Sequence, residues 1–389
     1  MFSRWCNLNL EKSFILQGPR RAGKSTLLQA KFPDYKYVTL DDLDDLALAK
    51  KDPKMFIEKL GTHFIIDEAQ RIPELSLPIK KLIDQNKQNK THAILTGSTG
   101  IRLKEQLYDT LAGRIEFLRL PTCCFGENFG LPTHKIDQPL DHDLEVQAKR
   151  EFQSFFTFGG FPEVLNNLPE EEKEKILKLY KNSYFTRDLA SLLNLDNVEG
   201  IKAMFGALIK GLGSRYEMSS LSKETGLSIP TAKKYFNSLL LSGLSFKLYG
   251  YHLGPAKRYI AKSKNYFLDQ GILFALSDEF SKGQAFENFI VSEIEKRRQL
   301  GFINADELYY YESAGGSEID IVIEEKQSLT LIEIKSSKKL SLKELKNIKT
   351  YNLKTNKKIK KMVFYLGDDF YWEENILIIP AWNFFRASF

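Results

Sequence analysis

The residues with the most specific chemistry in this chain are Gly18-Pro19-Arg20-Arg21-Ala22-Gly23-Lys24-Ser25, followed by Thr26. They fit the pattern G-x-x-x-x-G-K-[ST] in full, between an apolar run at 13–17 that reads as a strand and a helix-like run at 25–30. Glycines let the main chain curl so that its amides converge on phosphate oxygens, and the helix amino terminus adds a favourable field. Lys24 would reach the β- and γ-phosphates of ATP, and the Ser25 hydroxyl would ligate Mg²⁺. The run His63-Phe64-Ile65-Ile66-Asp67-Glu68 supplies an apolar strand ending in two acids. Asp67 would hold the Mg²⁺ hydration shell and Glu68 would polarise the attacking water, the division of labour that ATP hydrolysis needs. A further strand, Ile94-Leu95-Thr96-Gly97-Ser98, is expected beside the Asp67 strand, with Ser98 rather than Thr96 sensing the γ-phosphate. Arg114 is a candidate arginine finger, in its own chain or across a subunit contact that would make the protein a homo-oligomer. Asp41, Asp42, Asp44 and Asp45 look catalytic in type, but helix capping is the expected role.

A second constellation lies near the carboxyl end. Glu318-Ile319-Asp320-Ile321-Val322-Ile323 and Leu329-Thr330-Leu331-Ile332-Glu333-Ile334-Lys335 alternate as two strands, joined by a polar stretch that suits a hairpin. Pairing Glu324 with Leu329 sets Val322 against Leu331 and Asp320 against Glu333. Asp320, Glu333 and Lys335 then share one face, with Ile319, Ile321, Ile332 and Ile334 on the other. Two carboxylates and a lysine on one patch can bind Mg²⁺ and activate a water. Glu287, on an upstream helix, is a further candidate ligand.

The elements that must position these groups follow from periodicity. Between residues 13 and 120, apolar strands alternate with helical stretches, which predicts a parallel sheet covered on both faces. A Gly/Pro-containing stretch from Pro121 to about residue 143 reads as a boundary. Helices follow, then a helix–turn–helix with Gly226 at the turn and Ser228 and Pro230 opening its second helix. Residues 246–251 read as the first strand of a wing. Lys233, Lys234, Lys247, Lys257, Arg258, Lys262 and Lys264 are the cations such a module would offer to DNA phosphates. Tyr235, Phe236, Tyr249, Tyr251 and Tyr259 are expected in the core. The expected divisions are an ATPase domain over 1–125, a helical and winged-helix domain over 145–270, and a third domain over 280–389.

Bulk properties agree. With 389 residues, 43% apolar and 12% aromatic, the chain has material for several cores. A net charge of +6 permits nucleic-acid contact without requiring it, although lysines crowd residues 326–361. Cys6, Cys123 and Cys124 offer no zinc spacing and read as free thiols of a cytoplasmic protein. No apolar run is long enough to cross a membrane.

The order Glu287…Asp320…Glu333-x-Lys335 resembles the PD-(D/E)xK nuclease superfamily. As a whole the chain resembles a prokaryotic AAA-type P-loop ATPase family whose carboxyl half is known as domain of unknown function 4143. The resemblance rests on the phosphate loop, Asp67-Glu68-Ala69-Gln70, Gly97-Ser98, Leu111-Ala112-Gly113-Arg114, Gly159-Gly160-Phe161-Pro162-Glu163 and Tyr184 to Asp188. It continues through Tyr266-Phe267-Leu268-Asp269-Gln270-Gly271, Phe286-Glu287-Asn288 and the Asp320/Glu333 hairpin. It implies an α/β protein: a P-loop NTPase parallel sheet, then a helical and winged-helix region, then an α/β restriction-endonuclease-like domain. ATP and Mg²⁺ would be its ligands and DNA its expected partner. Tyr311-Glu312 departs from the family pattern by placing an extra acid near the approach to Asp320.

Overall fold

The computed structural model describes residues 3–8, 11–85, 91–97, 110–129, 142–166, 168–183, 198–252, 254, 258, 262–277, 279–313, 315–351 and 355–385. The chain divides into two compact units, one of residues 4–122 with 241–243, the other chiefly of residues 123–240 and 244–389.

The first unit alternates strand and helix: β1 (Phe14–Gln17), α1 (Lys24–Lys31), β2 (Lys36–Thr39), α2 (Leu43–Lys51), α3 (Pro53–Leu60), β3 (His63–Asp67), α4 (Ser76–Gln85), β4 (His92–Gly97) and β5 (Glu116–Arg119). Its five strands are all parallel in the order β2-β3-β4-β1-β5. Side chains alternate across a strand, so an apolar run feeds two cores at once. Ile15, Phe64, Ile66, Ala93 and Leu95 fill one face, while Phe14, Leu16, Ile65 and Ile94 fill the other. Within the acidic run Asp42 is the helix cap, while Asp41 pairs with Arg71. Asp42 accepts the Asp44 and Asp45 amides at the start of α2, and Asp52 accepts that of Met55 before Pro53 opens α3.

The second unit begins with helices α5 (His142–Phe158), α6 (Glu170–Ser183) and α7 (Val198–Lys210). After β6 (Arg215–Tyr216) come α8 (Met218–Thr225) and α9 (Ile229–Leu241), joined through Gly226 at φ +68°, with the Ser228 hydroxyl accepting the Thr231 amide. Then follow β7 (Ser245–Gly250), β8 (Ser263–Phe267), α10 (Gln270–Leu276), α11 (Lys282–Gln299), β9 (Leu308–Glu312), β10 (Glu318–Glu324) and β11 (Ser328–Lys335). The unit ends with α12 (Lys346–Thr350), β12 (Lys358–Tyr365), β13 (Tyr371–Glu373) and β14 (Ile376–Pro380). One mixed sheet of nine strands runs β13-β14-β12-β11-β10-β9-β7-β8-β6. It therefore crosses the expected division near residue 275, because β7 pairs in parallel with β9.

Helix α11 is buried on nearly every side and carries charges inward. Arg297 donates to Glu293 at 2.7 Å, Lys296 reaches Glu293 at 3.1 Å, and Glu293 also accepts the Phe125 amide. Burial alone would lift the Glu293 carboxyl, but Lys296 and Arg297 outweigh it and hold the group below its usual range. Asp269 accepts the amides of Gly271 and Gly160, both at 2.9 Å, and Asn288 pairs with both main-chain groups of Phe267.

The hairpin register is the expected one, with Val322 opposite Leu331 and Glu324 opposite Leu329. One residue departs from expectation. Ile319 packs with Val322, Leu329 and Leu331, whereas Ile321, Ile332 and Ile334 belong to the opposite core. The cause is a register irregularity between Ile319 and Val322 where β10 meets β9. An extra residue there flips the alternation and re-aims the neighbouring side chains, Asp320 among them.

Candidate functional sites

In the first unit the phosphate loop spans the gap between β1 and α1. Gly23, at φ +86°, takes a left-handed conformation just before the helix. Gly18 has a different constraint: a Cβ there would lie 2.0 Å from the Leu120 carbonyl oxygen, so only glycine lets the loop pass. Lys24 is buried and donates to the carbonyls of Gly18 and Pro19, each at 2.9 Å. Phosphate oxygens would have to replace those acceptors. Ser25 Oγ donates to Asp67 Oδ2 at 2.6 Å, which joins the start of α1 to the end of β3. Strand β4 lies between β1 and β3, bringing Thr96 and Gly97 to that same strand end. The Thr96 hydroxyl is fully buried and has no hydrogen-bond partner among the described residues. Ser98 lies outside the described residues.

Glu68 sits at φ +55°, a costly conformation for a residue with a Cβ, and its carboxylate accepts from the Gln70 amide. Arg114 makes a two-pronged pair with Asp84, at 2.7 and 3.0 Å, on the surface. Two residues here escaped the sequence reading. Tyr37 OH donates to Asp67 Oδ2 at 2.6 Å, and Arg4 clamps the Ala22 and Pro121 carbonyls at 2.6 and 2.7 Å. Strand pairing sets Tyr37 beside Ile65 and Thr39 beside Asp67, so the Tyr37 contact depends on the β2–β3 register. Nothing local marks Arg4.

In the second unit the hairpin carboxylates meet helix α11 and strand β8. Asp320 Oδ2 accepts the Ile334 amide at 2.7 Å, which sets it beside Glu333, and Lys335 Nζ contacts Glu333 Oε2 at 2.5 Å. Glu287 accepts from Tyr266 OH at 2.6 Å. Between them stands Lys264, 5% exposed, 2.5 Å from Glu318 Oε1 and 3.6 Å from Glu287 Oε1. Burial lifts the Glu287 carboxyl to about 7; Lys264 resists this, and Asp320 and Glu318 reinforce it. Burial and then Asp320 push Glu333 to about 7, with Lys335 pulling the other way. Burial also raises Asp320, against Lys335 and Lys264. Lys264 itself is held above its ordinary value, since Glu287, Glu318 and Asp320 overcome the cost of burying its charge.

Lys264 and Glu318 were therefore missed as members of this cluster. A lysine among lysines reads as solvated, and only the strand pairing turns Lys264 inward. Arg258 is likewise 9% exposed, paired with Glu324 at 2.6 Å and stacked on Tyr251 and Tyr309. Lys262 pairs with Glu217, while Lys233 and Lys234 are exposed on α9. Lys257 and Tyr259 lie outside the described residues, and Tyr235 and Phe236 are core as expected. Glu312, the departing acid, pairs with Arg215. Among the described residues, no group of three or more His, Cys, Asp or Glu is arranged to hold a metal ion, and no helix is long and apolar enough to cross a membrane.

Three family models match successive stretches of the chain. Residues 10–129 match an AAA domain, residues 149–283 a domain of unknown function (DUF8612), and residues 282–384 a domain of unknown function (DUF4143). The match to an AAA domain falls on the amino-terminal unit. Similar whole proteins include the uncharacterized protein MJ1544 of Methanocaldococcus jannaschii, 25% identical over 331 residues that cover 79% of this chain and 71% of the relative. Another is the uncharacterized protein Rv2008c of Mycobacterium tuberculosis, 24% identical over 322 residues, covering 80% of this chain and 67% of the relative. Among solved structures, the Aeropyrum pernix ORC1 protein in complex with DNA matches 69% of this chain and 87% of its own at 12% identity, with a TM-score of 0.30.

Proposed function

We propose that this chain is a Mg²⁺-dependent ATPase whose nucleotide state controls a nuclease-like, nucleic-acid-contacting carboxyl half. The observation that carries the ATPase reading is the 2.6 Å bond between Ser25 Oγ and Asp67 Oδ2, made across the loop-and-strand junction. Two oxygen donors at that junction fit a hard cation such as Mg²⁺. Ser25 and Asp67 would hold Mg²⁺ there, which would supply positive charge against the phosphates. The other roles belong to this chain's own groups. The loop amides from Gly18 to Thr26 hold phosphate oxygens, and Lys24 exchanges the Gly18 and Pro19 carbonyls for them. Glu68, oriented through Oε2 by the Gln70 side chain, takes a proton from the attacking water. Ser98 senses the γ-phosphate. Arg114, once released from Asp84, steadies the transferred charge in its own chain or in a neighbouring copy.

The test is ATP turnover by purified protein. Lys24→Ala should abolish nucleotide retention, and Glu68→Ala should retain nucleotide without turning it over. Protein that fails to retain ATP under Mg²⁺ would overturn the reading.

For the carboxyl half, Asp320, Glu333 and Lys335 support the nuclease-like reading, with Glu287 beside them and α8–α9 as a winged-helix contact for DNA. A second reading is a nucleotide-switched interaction protein whose nuclease-like end binds without cleaving. Lys264 favours it, since an ammonium stands among the carboxylates and the residues as placed do not fit a metal ion. Mg²⁺-dependent cleavage of DNA or RNA, lost in Asp320→Ala or Lys335→Ala, supports the first reading. No cleavage across single-stranded, duplex and branched substrates supports the second.

A further inference from the structure

We propose that Lys264 is the built-in cation of the carboxyl-terminal carboxylate cluster, and that it closes Glu287 and Glu318 to a divalent metal ion. The proposal deepens the reading of that site and shares with it one premise, that the carboxylates form a cation site.

Lys264 comes from β8, Glu287 from α11 and Glu318 from β10, so one ammonium ties three elements together. At 2.5 Å from Glu318 Oε1 and 3.6 Å from Glu287 Oε1, it occupies the space between those carboxylates. A metal ion binding both would need oxygens at about 2.0–2.6 Å and would lie almost on top of the ammonium. Two cations so close in a poorly solvated pocket repel strongly. Metal entry therefore requires Lys264 to leave, and its removal would strand Lys264 without its partners beneath the sheet surface.

A second feature shows that the lysine does not satisfy the whole cluster. Glu333 is 1% exposed, and its Oε1 has no hydrogen-bond partner among the described residues, although Oε2 holds Lys335. Asp320 lies alongside. An acceptor oxygen buried without a donor costs free energy, so Glu333 Oε1 is open to a further cation beyond Lys335. The side chain of Glu318 is 42% exposed, which leaves a route from solvent. The cluster thus combines an unused metal-type ligand with a lysine standing where the ion would go.

The experiment measures Mn²⁺ binding to full-length, nucleotide-free protein by the loss of free Mn²⁺ paramagnetic resonance. Lys264→Met should bind an additional Mn²⁺ about 10- to 100-fold more tightly than the wild type, the range in which supporting groups alter metal sites. Adding Glu287→Gln should abolish the gain, which assigns it to this cluster rather than to the phosphate loop. Equal affinity in Lys264→Met and the wild type would overturn the proposal. Should Lys264→Met not fold, Lys264→Gln takes its place. The wild type provides an independent check through the side-chain ammonium resonance of Lys264, which should persist in millimolar Mn²⁺. Its disappearance at lower concentration would mean that metal and lysine share the carboxylates, and the proposal fails. None of these readouts depends on cleavage, so a protein that cuts no nucleic acid leaves the inference standing or falling by itself.

Discussion

Glu68 joins two observations that bear on one another: a backbone in the left-handed region and a carboxylate tied to Gln70. Residues with a Cβ pay about 1–3 kcal/mol for such a conformation, and they keep it where function demands it. Asparagine tolerates that region better. Glu68→Asn is therefore expected to raise the stability of the first unit by about 0.5–1 kcal/mol while lowering ATP turnover at least 100-fold, as the loss of a general base does. Urea denaturation and steady-state hydrolysis check the two halves, and a less stable variant would remove strain from the account. Glu324, at the far end of β10, shows charge acting on stability. Burial opposes its ionisation, but hydrogen bonds from Arg258 and Lys357 prevail and hold the carboxyl below its ordinary 4.5. The unfolded chain thus binds the proton more readily, so this stabilisation is present above pH 4.5 and is lost as pH falls through the folded value. Glu324→Gln should cost about 1–3 kcal/mol at pH 7. The gap should narrow as pH is lowered towards the folded-state value, read from denaturation midpoints.

At the scale of elements, the Gly159-Gly160 and Asp269-Gln270-Gly271 motifs act as one joint. A Cβ at Gly160 would meet the Cys123 carbonyl oxygen at 2.0 Å, and one at Gly271 would meet that of Phe158 at 2.1 Å, while Asp269 ties both glycine amides. Backbone cannot yield as a flexible side chain can. Gly160→Ala should destabilise the second unit by about 2–4 kcal/mol or prevent its folding. Gly206, on α7, is the contrast, because a Cβ there would meet nothing beyond its own helix backbone within 4 Å. Gly206→Ala should stabilise by about 0.5–1 kcal/mol through helix propensity, and thermal melting of the pair tests both. These motifs were visible in the sequence, but their purpose was not, because the groups they approach lie more than 30 residues away. What was legible depended on locality. The strand–loop–helix order around residues 18–23 and the β10–β11 register follow from short-range spacing and alternation, and both formed as expected. Ile319 was misplaced because a bulge against β9 leaves no local mark. Lys264 was misread because burial of a lysine is decided by carboxylates on two other elements.

At the scale of the molecule, the family models break the chain near residue 282, close to the expected boundary, yet the nine-stranded sheet runs across it. Tyr249 and Gly250 on β7 pair with Tyr309 and Tyr310 on β9. Phe289 on α11 packs edge-on against Phe152 and Phe156 of α5, and Asn288 holds Phe267 of β8. A fragment of residues 280–389 would expose the β9 edge and the apolar face of α11 together. Its charged residues would lose partners as well, since Lys296 reaches Asp269 at 3.9 Å and Glu293 accepts the Phe125 amide. A bare edge beside apolar surface promotes association rather than folding. Residues 280–389 expressed alone should therefore aggregate or melt without a cooperative transition, whereas residues 123–389 should unfold in one step that coincides by fluorescence and circular dichroism. A cooperative transition in the shorter fragment would show that the boundary in sequence is also a boundary in folding. The extended β7–β9 pairing would then be a junction between independent domains rather than part of a shared core.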